Sequence, residues 1–193
     1  MTGLTLCSAF LSGMAGQVLS EETVTPSLNP GLEPPPVAAG KSRLSQVFWY
    51  FQNGTCGAQA IIATYGDLYD ISRETALRMA CGFSGGIGLT GEVCSLVVGA
   101  TVLLGMKNGP RTVKQRDTYE DTVEIAKCFV KDFKMKHNTV VCREIIQYDI
   151  STPEAYAKAH ELDKFQPCIG CTKTVVDLLE NKYDIFNRKR GNS

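Results

Sequence analysis

Eight cysteines stand in this chain of 193 residues, at Cys7, Cys56, Cys81, Cys94, Cys128, Cys142, Cys168 and Cys171. Cys81 and Cys94 flank a run that holds Gly82, Gly85, Gly86, Gly88 and Gly91. Glycine at that density marks a backbone in conformations closed to other residues, or one lying close against something. With a thiol at each margin, that something is a metal, a cluster or another sulfur. Thiolates bind iron and zinc. Four of them suit a [2Fe–2S] or [4Fe–4S] cluster, and equally a structural zinc. Cys168 and Cys171 form a Cys-x-x-Cys pair, whose own chemistry would be thiol–disulfide exchange. That motif usually sits in a βαβ setting, which this chain lacks. A zinc-stapled helical module that docks on a partner is a further alternative.

Other motifs are weaker. Gly86-x-Gly88-x-x-Gly91 fits a dinucleotide fingerprint, which needs a strand before it and an acidic residue about 20 positions on. The preceding segment reads as helix, and no acidic residue falls between Glu92 and Asp117. A phosphate-binding P-loop fails because no Gly-Lys-Ser/Thr follows. His137 and His160 are lone histidines in polar stretches and read as surface residues. Glu92 reads as a cap for the helix after it. Cys128 reads as a small buried hydrophobe, the common fate of a free cysteine.

The elements that must position these residues are helical. Leu44, Val47, Phe48 and Phe51 recur at helical spacing behind Ser42, a plausible N-cap. Cys56 to Tyr65 repeats the pattern. Ser72 and Glu74 open a helix that stops near Gly82. The apolar run from Val93 to Met106 ends at Asn108-Gly109-Pro110. Val123, Ala126, Phe129, Val130 and Phe133 make one face of a helix over Asp117 to Lys136. Cys142 to Tyr148 predicts a short helix, Thr152-Pro153-Glu154 a helix start, and Thr172 to Phe186 a last helix. No segment alternates long enough to demand a sheet. The expectation is an all-α, compact multi-helix domain over residues 42–187, with a glycine-rich inter-helix loop. Residues 1–41, rich in proline, read as a disordered or weakly structured tail, and 188–193 as a basic C-terminal tail.

Composition sets outer limits. With 44% hydrophobic and 21% charged residues, the chain can bury a core without disulfide staples. Twenty basic residues balance twenty acidic ones, so no general field favours nucleic acid or an anionic membrane. The run from Cys94 to Met106 falls short of the roughly 20 residues a membrane span needs. Met1 to Ser20 holds no Lys or Arg, unlike the start of an export signal. The expected compartment is the cytoplasm, where thiols stay reduced.

Several motifs fall together in a recognisable order. They are Thr55-Cys56-Gly57-Ala58-Gln59, Gly85-Gly86-Ile87-Gly88, Thr90-Gly91-Glu92-Val93-Cys94 and Gly99-Ala100, followed by Leu104 to Gly109, Cys142 to Ile146, and Cys171 with its helix. In this the chain resembles the redox-active C_GCAxxG_C_C proteins over roughly residues 50–180. Similar sequence forms part of split-Soret cytochromes c, where related cysteines are associated with an iron–sulfur cluster. The resemblance implies four ligands, Cys56, Cys94, Cys142 and Cys171, with zinc as the alternative metal. It implies electron transfer or redox sensing with a partner protein, and it leaves room for a homodimer. Gly85, Gly86 and Gly88 would then offer backbone N–H groups to cluster sulfur. Two departures stand out. Ser95 and Leu96 replace smaller residues after Cys94, and Cys168 adds a second candidate beside Cys171. No Cys-x-x-Cys-His haem attachment motif occurs.

Overall fold

The computed structural model describes residues 33–187. Cys7, most of the expected N-terminal tail and the basic end at 188–193 lie outside the described residues. The helices are α1 (Leu44–Gln52), α2 (Gly57–Tyr65), α3 (Arg73–Ala80) and α4 (Ser95–Asn108). They continue with α5 (Arg116–His137), α6 (Cys142–Ile146), α7 (Pro153–Glu161) and α8 (Pro167–Asp177). Single turns of 3-10 helix follow α2 and α3, and a π turn, Leu178–Lys182, closes α8. The all-α expectation is met. Among the described residues, extended backbone pairs only in one antiparallel bridge, between Val93 and Val141.

The core forms around α2. Its residues are apolar almost all round, and a helix of that kind must be buried on every side. Ala58, Ala60, Ile61, Ile62 and Tyr65 are fully buried, and α1, α3 and α4 enclose them. The contact with α4 is close because Gly99 has no side chain. A Cβ there would sit 2.9 Å from the Ala58 Cα. On α5, Phe129 and Phe133 turn inward and are fully buried, while Val123 is exposed. Truncating such a phenylalanine to alanine costs about 3–5 kcal/mol.

Helix ends follow local chemistry. The Ser72 hydroxyl accepts from the Thr75 N–H at 3.1 Å, as its place predicts. Thr152 does the same for Ala155 at 3.1 Å, with Pro153 in the first turn. Asn138, in the left-handed region, ends α5. Several boundaries differ from expectation. The α1 cap is Arg43, one residue beyond Ser42. The last helix starts at Pro167, not Thr172, because proline favours the first helical position. It therefore takes in both Cys168 and Cys171. Finally, residues 33–41 are not wholly unpacked. Gln46 donates to the Pro35 carbonyl at 2.9 Å, and Arg73 pairs with Glu33. No described helix is long and apolar enough to cross a membrane.

Candidate functional site

Two short segments bring the first pair of thiols together. The chain before α4 and the chain before α6 run antiparallel through the Val93–Val141 bridge. The Cys94 N–H donates to the Val140 carbonyl at 2.7 Å, and the Cys142 N–H to the Glu92 carbonyl at 2.5 Å. Each cysteine then stands at the start of a helix, Cys94 as the N-cap of α4 and Cys142 as the first residue of α6. Outside the bridge, Glu92 pairs with Arg143. Glu92 therefore belongs to this pairing and does not cap α4. Both partners are half-exposed, so the pair adds little stability, and it reinforces register.

The glycine loop locks onto the same pairing. Gly85, Gly86, Ile87, Gly88 and Leu89 all have positive φ, from 56° to 78°. All five lie in the left-handed region, which costs a non-glycine residue about 1–2 kcal/mol. Hydrogen bonds hold it, from the Gly91 N–H to the Gly85 carbonyl at 2.9 Å and from the Glu92 N–H to the Gly86 carbonyl at 3.1 Å. Gly86 is buried directly beside the thiols. A Cβ there would lie 2.5 Å from the Glu92 nitrogen and 3.0 Å from the Cys142 Cβ. Gly85 instead abuts Leu89 and Ile150. Gly88 faces open space, and its N–H donates to the Gly82 carbonyl at 2.9 Å. Its amide is thus already engaged, against the expectation that it serves a cluster sulfur.

The second pair of thiols comes from α8. Cys168 and Cys171 are three residues apart and share one helix face. Cys171 is fully buried, and Cys168 packs against the apolar group of Cys142, Ile146, Ile150 and Ala159. Burial pushes all these thiols above the ordinary range, and neighbouring thiols push Cys142, Cys168 and Cys171 further. Cys142 rises to about 12 through burial and then Cys94. Cys171 rises to about 12 through burial, Cys94 and Cys142. Cys168 rises through burial, then Cys94, Cys171 and Cys142. Cys94 rises through burial, and the amides of Leu96 and Val97 only partly offset it. At these helix starts desolvation outweighs any lowering of the thiol pKa by the helix dipole. Cys171 in addition lies beyond the first turn of α8, away from the helix end.

Cys56 has different neighbours. It is the N-cap of α2, and its N–H donates to Gln59 Oε1 at 3.0 Å. Its thiol donates to the Ala80 carbonyl at 3.6 Å. Burial raises its pKa, the amides of Gln59 and Ala58 oppose that, and the cysteine that adds to the rise is Cys81. Cys81 itself is exposed, as is Cys128, which was expected to be buried.

His137 was expected at the surface and is instead part of the site. It stacks on Phe133 with ring centroids 4.6 Å apart. Its Nε2 lies 2.8 Å from the Thr174 hydroxyl and its Nδ1 3.7 Å from the Cys171 sulfur. A signal existed in the sequence. The inward face of α5 runs through Phe129 and Phe133, and His137 is its next position at a spacing of four. His160 is exposed and packs its ring on Tyr156 and Phe165.

Among the described residues, no three His, Cys, Asp or Glu side chains already stand at metal-ligand spacing. The donor set still fits a soft metal by its chemistry. Four thiols come from three segments, Cys142, Cys168 and Cys171 each feel the charge of other thiols, and no carboxylate acts on them. Two surface clefts among the described residues, of about 450 and 220 Å³, lie beside Glu180 and beside His160.

The fold is all-helical, with a glycine-built loop packed beside Cys142. The chain belongs to the family described as Putative redox-active protein (C_GCAxxG_C_C), whose model matches residues 55–182. That match begins one residue before Cys56 and ends with the π turn. No curated protein and no solved structure is similar enough to match.

Proposed function

We propose that this domain is a redox protein that holds an iron–sulfur cluster on its thiols and exchanges electrons with a protein partner. Cys94, Cys142 and Cys171 are three of the ligands, and the fourth is Cys56 or Cys168. The observation that supports this reading is the backbone pairing that sets Cys94 beside Cys142, with Cys168 of α8 packed on the same apolar group as Cys142. Protonated, buried thiols are poor nucleophiles, which weighs against disulfide exchange at Cys168 and Cys171. Metal binding has the opposite requirement. A cation supplies the missing positive charge and drives the thiol protons off.

When bound, an iron–sulfur cluster supplies one-electron chemistry. The protein's share is to hold the sulfurs and keep water away. The bridge sets Cys94 against Cys142, and Gly86 lets the loop backbone close over Cys142. The test is anaerobic purification with an absorption spectrum and analysis for iron, sulfide and zinc. The expected result is a brown protein with iron and sulfide. A colourless protein with one zinc would overturn the cluster and leave a stapled module. A colourless protein without metal would move the chemistry to the thiols themselves.

A further inference from the structure

We infer that the fourth thiol of the metal centre is Cys168, and that Cys56, despite its family position, stays outside it. This deepens the function proposed above and rests on its reading that the thiols bind a metal. It does not depend on which metal binds.

The argument is one of placement. Cys168 and Cys171 project from one face of α8, and α8 packs on α6, where Cys142 stands first. Cys168 and Cys142 belong to the same apolar group. The bridge ties Cys142 to Cys94. The packing of α8 on α6 thus brings two thiols of one helix toward the two held by one backbone pairing, with Cys168 seated on the apolar group that contains Cys142. Cys56 is committed to other duties. It caps α2, and its thiol is directed at the Ala80 carbonyl at the end of α3. Its cysteine neighbour is Cys81. Cys56 also acts on Tyr156, whose ring packs with Cys168 against the Cys142 group. It is therefore the one realistic competitor, and both cysteines are half-buried.

Binding of a divalent ion at this set is balanced as four thiols plus the ion, giving a four-thiolate complex with net charge of −2 and four released protons. Cobalt(II) is a suitable probe, because its sulfur-to-metal charge-transfer absorption grows with the number of thiolate ligands. The full-length, metal-free chain would be titrated with cobalt(II) as wild type, Cys168→Ser, Cys56→Ser and Cys81→Ser. Cys168→Ser is expected to lose about a quarter of the charge-transfer intensity, one ligand of four, and to bind at least about tenfold more weakly. Cys56→Ser and Cys81→Ser are expected to match wild type.

A second measurement avoids variants. Alkylation of the native protein with and without cobalt(II) compares the two half-buried thiols directly. Metal should protect Cys168 and leave the rate at Cys56 unchanged. Loss of intensity in Cys56→Ser, or metal protection of Cys56, would overturn the inference while leaving the metal reading intact. A wild-type chain that binds neither cobalt nor iron would overturn both.

Discussion

His137 shows how much one side chain can add to a thiol site. A neutral imidazole has one N–H to give, and burial holds His137 below the ordinary histidine range. The Thr174 hydroxyl can donate to Nε2, which leaves Nδ1–H facing the Cys171 sulfur at 3.7 Å. A hydrogen bond to a ligand sulfur withdraws electron density and raises the potential of a cluster. His137→Phe would keep the stack on Phe133 and remove that donor. The expected outcome is a lower reduction potential in a spectroelectrochemical titration, with cluster content retained. Stability should fall by about 1 kcal/mol, because the Thr174 hydroxyl loses its partner. An unchanged potential with the cluster in place would show that the contact is only packing. At this scale the sequence was partly legible. The family positions Cys94 and Cys142 are aligned by one backbone pairing. The place of Cys168 depended on α8 beginning at Pro167, which a helix start at Thr172 conceals. The histidine was hidden by polar neighbours in sequence, although its spacing from Phe133 pointed inward.

Among the elements, the left-handed turn over 85–89 carries the clearest test. Gly86 and Gly88 both have positive φ, 78° and 61°, so an alanine at either is strained. Their surroundings differ. At position 86 a Cβ meets the Glu92 nitrogen at 2.5 Å and the Gly91 carbonyl carbon at 2.8 Å, whereas position 88 is open. Gly86→Ala is therefore expected to cost about 3 kcal/mol, conformational strain plus overpacking. Gly88→Ala should cost about 1 kcal/mol or less, since lost freedom in the unfolded chain offsets part of the strain. Urea unfolding midpoints would decide it, and equal effects would mean that the loop relaxes around Gly86. The glycine density predicted close approach, and the helical periodicities predicted most of the helices. What could not be read was the bridge at Val93 and Val141. One pair of extended residues leaves no alternating pattern, yet that pair aligns two of the thiols. Likewise α5 looked amphipathic along its whole length, but Val123 is exposed because the core meets only its later turns.

For the whole molecule, the decisive closure is at the π turn, Leu178–Lys182, where the end of the fold grips elements from its start and middle. Glu180 accepts from the Arg43 N–H at 2.8 Å and from the Tyr65 hydroxyl at 2.7 Å, joining the turn to α1 and α2. On the other side Asp132 of α5 accepts from Lys182 and from the Tyr183 hydroxyl, each at 2.6 Å. Asp132 exposes only 7% of its surface, yet it lies near the edge of the molecule, where desolvation is slight beside these contacts. The hydrogen bonds from Lys182 and then Tyr183 hold its carboxyl below the usual aspartate range. A depressed carboxyl binds fewer protons in the folded chain than in the unfolded one. Its contribution is therefore complete above the unfolded aspartate range and disappears as pH falls through the folded value. Lys182 is more than half exposed, so solvent and salt screen part of its share. Asp132→Asn is expected to lower stability by about 1 kcal/mol at neutral pH. It should also flatten the rise of stability with pH across the acid side of the carboxylate range. Chemical denaturation of both forms at a series of pH values measures this. Two parallel curves would show that the carboxylate charge contributes nothing and that Asp132 acts by shape alone.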